Sequence, residues 1–282
     1  MSFLDVIATE NLQDSDLIKL IFLDYEKRKS EGVLYSKEDF IPQNLIKVYF
    51  KSGNHLDFSK IVYNFKRKYI YNENELEGVH NKEERDGVSE VYDYIKDASN
   101  DICPNIFVIL RLHALLYSKV PYPEFGGRFR IESACISDSD VKTTPPEQIS
   151  GAITALYFEY DQILKLGAIV KESENMELLM EYIDRAIDIK CKLIEIHPFS
   201  DGNGRTCRAL VNLLFRKINL PPIYVKKSEK KEYIEAMDRA VRLKDNSSIK
   251  KFYYYKICDS IVELDIKERV KQNETGMQKT LA

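Results

Sequence analysis

Thirteen consecutive positions, from Ile196 to Arg208, hold nearly every residue type needed to handle a nucleoside polyphosphate: Ile196-His197-Pro198-Phe199-Ser200-Asp201-Gly202-Asn203-Gly204-Arg205-Thr206-Cys207-Arg208. His197 is the one side chain here that exchanges a proton near neutral pH. Asp201 is a hard oxygen ligand suited to Mg²⁺ that bridges phosphates. Gly202-Asn203-Gly204 reads as a turn feeding a helix N-terminus, where free backbone N–H groups and the helix dipole attract an anion. Arg205 and Arg208 lie three apart, on one face of that helix's first turn, where both can hold phosphate oxygens. Taken singly, such a turn or such a histidine is more often structural than catalytic. Together they describe a site for phosphate transfer.

Such a loop has to be held by rigid elements on both sides. Met176 to Ile196 carries an apolar stripe (Leu178, Leu179, Tyr182, Ile183, Ala186, Ile187 and Ile194) that predicts a core helix ending where Pro198 follows. A second apolar-periodic stretch starts at about Gly204 and runs through Leu210, Leu213, Leu214 and Ile218, until Pro221-Pro222. Phe199 is expected to point inward as the loop's anchor. Further helices are predicted at about Leu17–Lys29, from about Leu56 to Ile70, over Gly87–Lys96, Pro104–Tyr117 and Pro146–Leu166, and over Lys231–Arg242 and Ser248–Glu268. His113 falls on an apolar helix and reads as a packed histidine, whereas His55 and His80 read as surface residues.

The thirteen-residue run matches without a gap the motif His-Pro-Phe-x-(Asp/Glu)-Gly-Asn-(Gly/Lys)-Arg-x-x-Arg, and on it the chain resembles the Fic family. The resemblance extends over roughly Tyr71 to Phe252. It implies an all-α helical bundle with a small β-hairpin flap over the active site, and the transfer of AMP from ATP, with Mg²⁺, to a Tyr, Thr or Ser hydroxyl of a target protein. His197 is then the base and Asp201 the metal ligand. Gly202, Asn203, Gly204, Arg205 and Arg208 cradle the phosphates, with the Asn203 side chain as an added donor.

Three further stretches gain meaning from the resemblance. Asn74-Glu75-Leu76-Glu77-Gly78 looks like the family's inhibitory helix end, in which Glu77 pairs with Arg208 and denies it to the γ-phosphate; Glu73 stands where the family has Ser or Thr. Gly127-Arg128-Phe129-Arg130 resembles the stretch that opens the flap, placing Ile131, Ser133, Ala134, Cys135 and Ile136 where an extended target segment is pinned by strand addition. Tyr233 is expected to line the nucleotide base pocket, although Ile234 and Val241 depart from the family's Tyr and Asn there. Transfer of another nucleotide or phosphodiester group, transfer of the γ-phosphate, removal of AMP at the same site, and a binding module without turnover stay open as alternatives.

Composition narrows the rest. A net charge of −3 over 282 residues, with both signs interspersed, gives no basic footprint for nucleic acid. No apolar run reaches the ~20 residues of a membrane helix, and the N-terminus has no signal-peptide pattern. Five cysteines (Cys103, Cys135, Cys191, Cys207 and Cys258), odd in number and without a CxxC pair, predict reduced thiols and a cytoplasmic location. The expected organisation is an N-terminal helical extension over 1–60, a core over 61–260 that includes the inhibitory helix near 71–78, and a polar tail over 261–282. A hydroxyl-bearing protein is the expected partner, with self-modification and a homodimer as further possibilities.

Overall fold

The computed structural model describes residues 14–35, 41–51, 63–98, 105–136, 141–173 and 175–266. Among them run ten α-helices: α1 Asp14–Glu31, α2 Ile41–Lys51, α3 Tyr63–Glu77, α4 Lys82–Asp97, α5 Val108–Leu116, α6 Pro146–Ser173, α7 Met176–Ile196, α8 Asn203–Lys217, α9 Lys230–Leu243 and α10 Ser247–Ile261. The all-α expectation is met. Leu56, His55, Cys103 and the tail beyond residue 266 lie outside the described residues.

Helix α8 is the axis of the bundle. From Asn203 to Phe215 only Gly204 escapes full burial, because α4, α5, α7 and α3 pack around it. Helix α7 lies against it on one side and α6 backs α7 in turn. A helix buried all round reads as apolar on every face; α8 instead carries Arg205, Arg208 and Asn212 inward, so each needs a polar partner. Asn212 finds one just past the helix: its amide donates to the Ile223 carbonyl at 2.9 Å and accepts from the Ile223 N–H at 2.8 Å.

Local chemistry sets the helix ends that matter. Asn175 caps α7, its side chain accepting from the N–H groups of Glu177 and Leu178. Asn81 caps α4 in the same manner through Glu84 N–H. At its far end α7 closes on His197, in the left-handed region at φ 52°, one residue before Pro198. Helix α3 ends in a Schellman turn: Gly78 has φ 71° and the Val79 N–H donates back to the Asn74 carbonyl at 3.0 Å. Leu45, Ile46 and Tyr49 of α2 sit in the same hydrophobic core as α7 and α10, and so do Ile261, Val262 and Leu264 at the start of the expected tail.

The flap takes a different form from the predicted hairpin. Between Ile131 and Ile136 the described backbone holds one antiparallel bridge, Cys135 to Lys142, and no strand. Thr143 Oγ1 adds a bond to the Ala134 carbonyl at 2.6 Å. The residues at the tip, 137–140, lie outside the described residues. Arg130 ties the segment down. Its backbone N–H donates to the Pro198 carbonyl at 3.0 Å, and its guanidinium donates to carbonyls of His197 (2.7 Å), Glu132 (2.7 Å) and Thr144. It thus joins both arms of the segment to the loop after α7.

Candidate active site

The loop between α7 and α8 is stapled from within. Phe199 is buried and its ring stacks on His113 at 3.9 Å between centroids, as the inward anchor that the sequence predicts. The Asn203 amide accepts from the Phe199 N–H at 2.9 Å and donates to the Phe199 carbonyl at 2.8 Å. The Asn203 amide thus shapes the loop, with one Nδ2–H left over for an anion. Gly202 occupies the left-handed region at φ 73°, and a Cβ there would meet the Tyr117 ring at 2.9 Å. Glycine is required on both counts.

His197 is half-buried, with its Nδ1 enclosed and without a hydrogen-bond partner. Burial, chiefly, holds its pKa below the ordinary histidine value, while Asp201 and Glu77 pull the other way. The ring is neutral at pH 7 and able to accept a proton. The Asp201 carboxylate is 67% exposed; one oxygen accepts from the Gly202 N–H at 2.7 Å and the other from the Tyr117 hydroxyl at 2.9 Å. Among the described residues no three His, Cys, Asp or Glu side chains cluster as a metal cage. A single exposed, oriented carboxylate beside a phosphate seat is nonetheless the donor set Mg²⁺ uses, because that ion takes its other ligands from phosphates and water.

The two arginines part company. Arg205 is buried against Glu84, at 2.7 Å, and donates to the Tyr117 hydroxyl at 3.1 Å. It lines a small cavity inside the bundle and not the open cleft. The expectation that both guanidiniums face one anion is corrected on that point, since Glu84 of α4 claims Arg205. Arg208 does line the cleft, a cavity of about 710 Å³ whose walls include Glu77, Gly204, Tyr233, Met237 and Val241. Its Nη2 donates to Glu77 Oε1 at 2.7 Å, the predicted contact. Its Nε donates to Glu73 Oε2, also at 2.7 Å. Both carboxylates hold the guanidinium firmly charged against the cost of its burial. Gly204 faces this pair so closely that a Cβ would collide with Glu77 Oε1.

The far wall of the cleft suits a base. Tyr233, Ile234, Met237, Val241, Leu76 and Ile194 are apolar or aromatic. Tyr233 lies under the Arg208 guanidinium at 5.8 Å and under the Lys190 ammonium at 4.8 Å. From the flap, Ile136 reaches the cavity wall and Ile131 is 89% exposed.

Several contributors went unrecognised in the sequence. His113 accepts from the Gly127 N–H through Nδ1 at 2.8 Å and bonds the Asp201 carbonyl through Nε2 at 3.0 Å, so it is packed, as predicted, but across the loop itself. Tyr117, Glu84, Glu73 and Arg130 are the others. Arg130 carried a signal, as the last residue of the Gly127-Arg128-Phe129-Arg130 stretch, and Glu73 carried one, as the residue in place of the family's Ser or Thr.

Residues 105–215 match the Fic/DOC family model. A protein adenylyltransferase Fic of Nematostella vectensis is 25% identical over 55% of this chain and 33% of its own length. A protein adenylyltransferase Fic of Drosophila erecta is 38% identical over 44% of this chain and 22% of its own. The chain thus spans a third or less of these curated relatives. Two solved structures share the fold: a Fic domain containing signaling protein from Bacteroides thetaiotaomicron (TM-score 0.62, 17% identity, 78% of this chain and 94% of that one) and a segment of Fic-1 from Caenorhabditis elegans (TM-score 0.59, 17% identity, 99% and 92%).

Proposed function

Because the chain belongs to the Fic family, we propose that it is a protein adenylyltransferase that moves AMP from ATP to a Tyr, Thr or Ser hydroxyl of a protein, restrained by its own Glu77. The observation that carries this reading is the cleft: a cavity of about 710 Å³ with a buried arginine and a helix N-terminus at one end and an aromatic wall at the other. Its volume suits a nucleotide.

The chemistry follows from the placement of each group. The triphosphate lies along the backbone of Gly202, Asn203 and Gly204, where the α8 N-terminus favours negative charge. Arg208 takes the terminal phosphates on its cleft edge. Arg205 acts through Tyr117, which holds Asp201. Asp201 would hold Mg²⁺, which would supply charge neutralisation for the phosphates. The neutral His197 removes the proton from the target hydroxyl as its oxygen attacks the α-phosphorus and pyrophosphate leaves. Tyr233, Met237 and Val241 receive the base. Ile131, Ser133, Ala134, Cys135 and Ile136, the last of which lines the cleft, receive an extended stretch of the target.

Glu77 competes with the terminal phosphate for Arg208 Nη2. A charge-assisted bond of this kind is worth about 1.5–3 kcal/mol, or roughly ten- to a hundred-fold in occupancy. The test uses Glu77→Gly protein with ATP labelled at the α or the γ position, alone and with lysate. Label retained on protein from the α position only, absent in His197→Ala, is the expected result. Retention of the γ label, or none from either position, overturns the proposal.

A further inference from the structure

Glu73 sits one turn before Glu77 on α3, and the two carboxylates approach Arg208 from different sides. Glu77 is part of the cleft wall, with a side chain 35% exposed. Glu73 is 1% exposed and takes no part in that wall; it lines the interior cavity together with Arg205 and Thr206. Its Oε2 accepts from Arg208 Nε, the donor beside the Nη2 that Glu77 takes, and it does so from the buried side. A guanidinium is planar, with its five donors in a fixed fork. Holding Nε from the core side therefore sets where Nη1 and Nη2 point.

A second lock on the arginine would have to occupy the phosphate seat, and Glu73 lies outside it. Glu73 is also costly to keep. Burial pushes its carboxyl up against the pull of Arg208, and Oε1 has no hydrogen-bond partner. A buried ion pair is weak grounds for stability as such. Its use lies in the moment of exchange. Arg208 is itself 4% exposed, and once Glu77 withdraws it becomes a buried cation with an empty front edge. Glu73 then remains as its carboxylate partner and holds its aim.

We propose that Glu73 is a positioning residue for Arg208: it holds the guanidinium from the core side, so that Glu77 and the terminal phosphate exchange on an arginine already set in place. This rests on the reading of Arg208 as the terminal-phosphate ligand. It sets Glu73 apart from Glu77, whose removal frees the site.

The test measures binding without turnover, by calorimetry with ATP and with AMP, on Glu77→Gly protein and on the same protein carrying Glu73→Ala or Glu73→Gln. Removing Glu73 is expected to weaken ATP about ten-fold or more. AMP, which lacks the phosphates that Arg208 takes, should change less than about two-fold. Glu73→Gln keeps an acceptor for Nε and should restore most of the ATP affinity. Unchanged or tighter ATP binding overturns the proposal and makes Glu73 a second lock. A parallel loss of AMP binding also overturns it, in favour of a purely structural role. Should the double variant fail to fold, Glu73→Ala alone decides: ATP affinity at or below that of the unmodified protein is expected, and a rise overturns the inference. If the ATP-against-AMP pattern holds while no α label reaches protein, the transferase reading fails and this one stands. If Glu77→Gly protein binds no ATP, both fail.

Discussion

At the scale of single residues, the site is a set of charges whose partners decide their use. His197 has its pKa lowered by burial, so the base form is complete at neutral pH. The rate of label transfer is therefore expected to stay level above about pH 6.5 and to fall only below it; a rise that continues through pH 8 would assign the base elsewhere. Tyr117 holds the Asp201 carboxylate and the Arg205 guanidinium with one hydroxyl. Tyr117→Phe should raise the Mg²⁺ concentration needed for half-maximal transfer several-fold, and should weaken Mn²⁺ binding to the ATP-loaded protein in a spin-resonance titration. Asn203→Ala leaves the buried Phe199 N–H and carbonyl without their partners and should cost about 1–3 kcal/mol in urea unfolding. The local form of the loop was legible in the sequence: Gly202 takes the turn that the string calls for, and Arg208 meets Glu77. Glu84 was not, because a carboxylate on a charged helix face looks solvated until the packing partner is known, and Glu73 showed only as a departure from the family's Ser or Thr.

Elements tell a similar story. The stripe on Met176–Ile196 gave α7 with its stated bounds, and Pro198 gave its end, since both signals are local. Of the predicted flap hairpin, the described residues show one antiparallel bridge, Cys135 to Lys142, and its anchoring to the bundle is not local. Two glycines and an alternating stretch are local signals for a hairpin, whereas Arg130 bonds carbonyls contributed by Ile196, His197 and Pro198 far along the chain. His113 joins elements in the same manner, bridging α5, the Gly127 turn and the Asp201 carbonyl as a neutral ring. Burial pushes its pKa down from 6.5 to about 4. The unfolded chain takes up that proton near pH 6.5 and the folded one does not until about pH 4, so stability is complete above 6.5 and falls as pH drops between the two values. The drop corresponds to about 3 kcal/mol, with His197 adding in the same direction. Thermal midpoints measured from pH 7 to pH 4 should decline, and His113→Asn should flatten the decline while lowering the pH 7 value. An equal slope in that variant would mean that other groups carry the effect.

Over the whole molecule, the N-terminal helices are fastened to the bundle by charge as well as by apolar burial. Arg28 of α1 donates to Asp24 at 2.8 Å and to Asp259 of α10 at 3.0 Å, with its guanidinium over the Tyr255 ring. All three charges are buried. Removing the arginine strands the buried Asp24 carboxylate and takes one partner from Asp259, so Arg28→Ala should destabilise by about 3–5 kcal/mol, read in the same urea titration. Asp259 also receives Lys256, which contacts Glu229 beside α9, so the network runs from the first helix toward the wall of the cleft. The helical periods of the sequence did not show that segments so distant would share one core.

The placement of Glu77 on the final residue of α3 has a mechanical corollary. The helix is fastened on its outer face by Lys227, which contacts Asn72 and Glu75, and by Glu73 within. A latch at the very tip can open by unwinding a single terminal turn while the shaft stays docked. Such fraying is the least demanding excursion a helix makes, and Leu76 is the core side chain it would draw on.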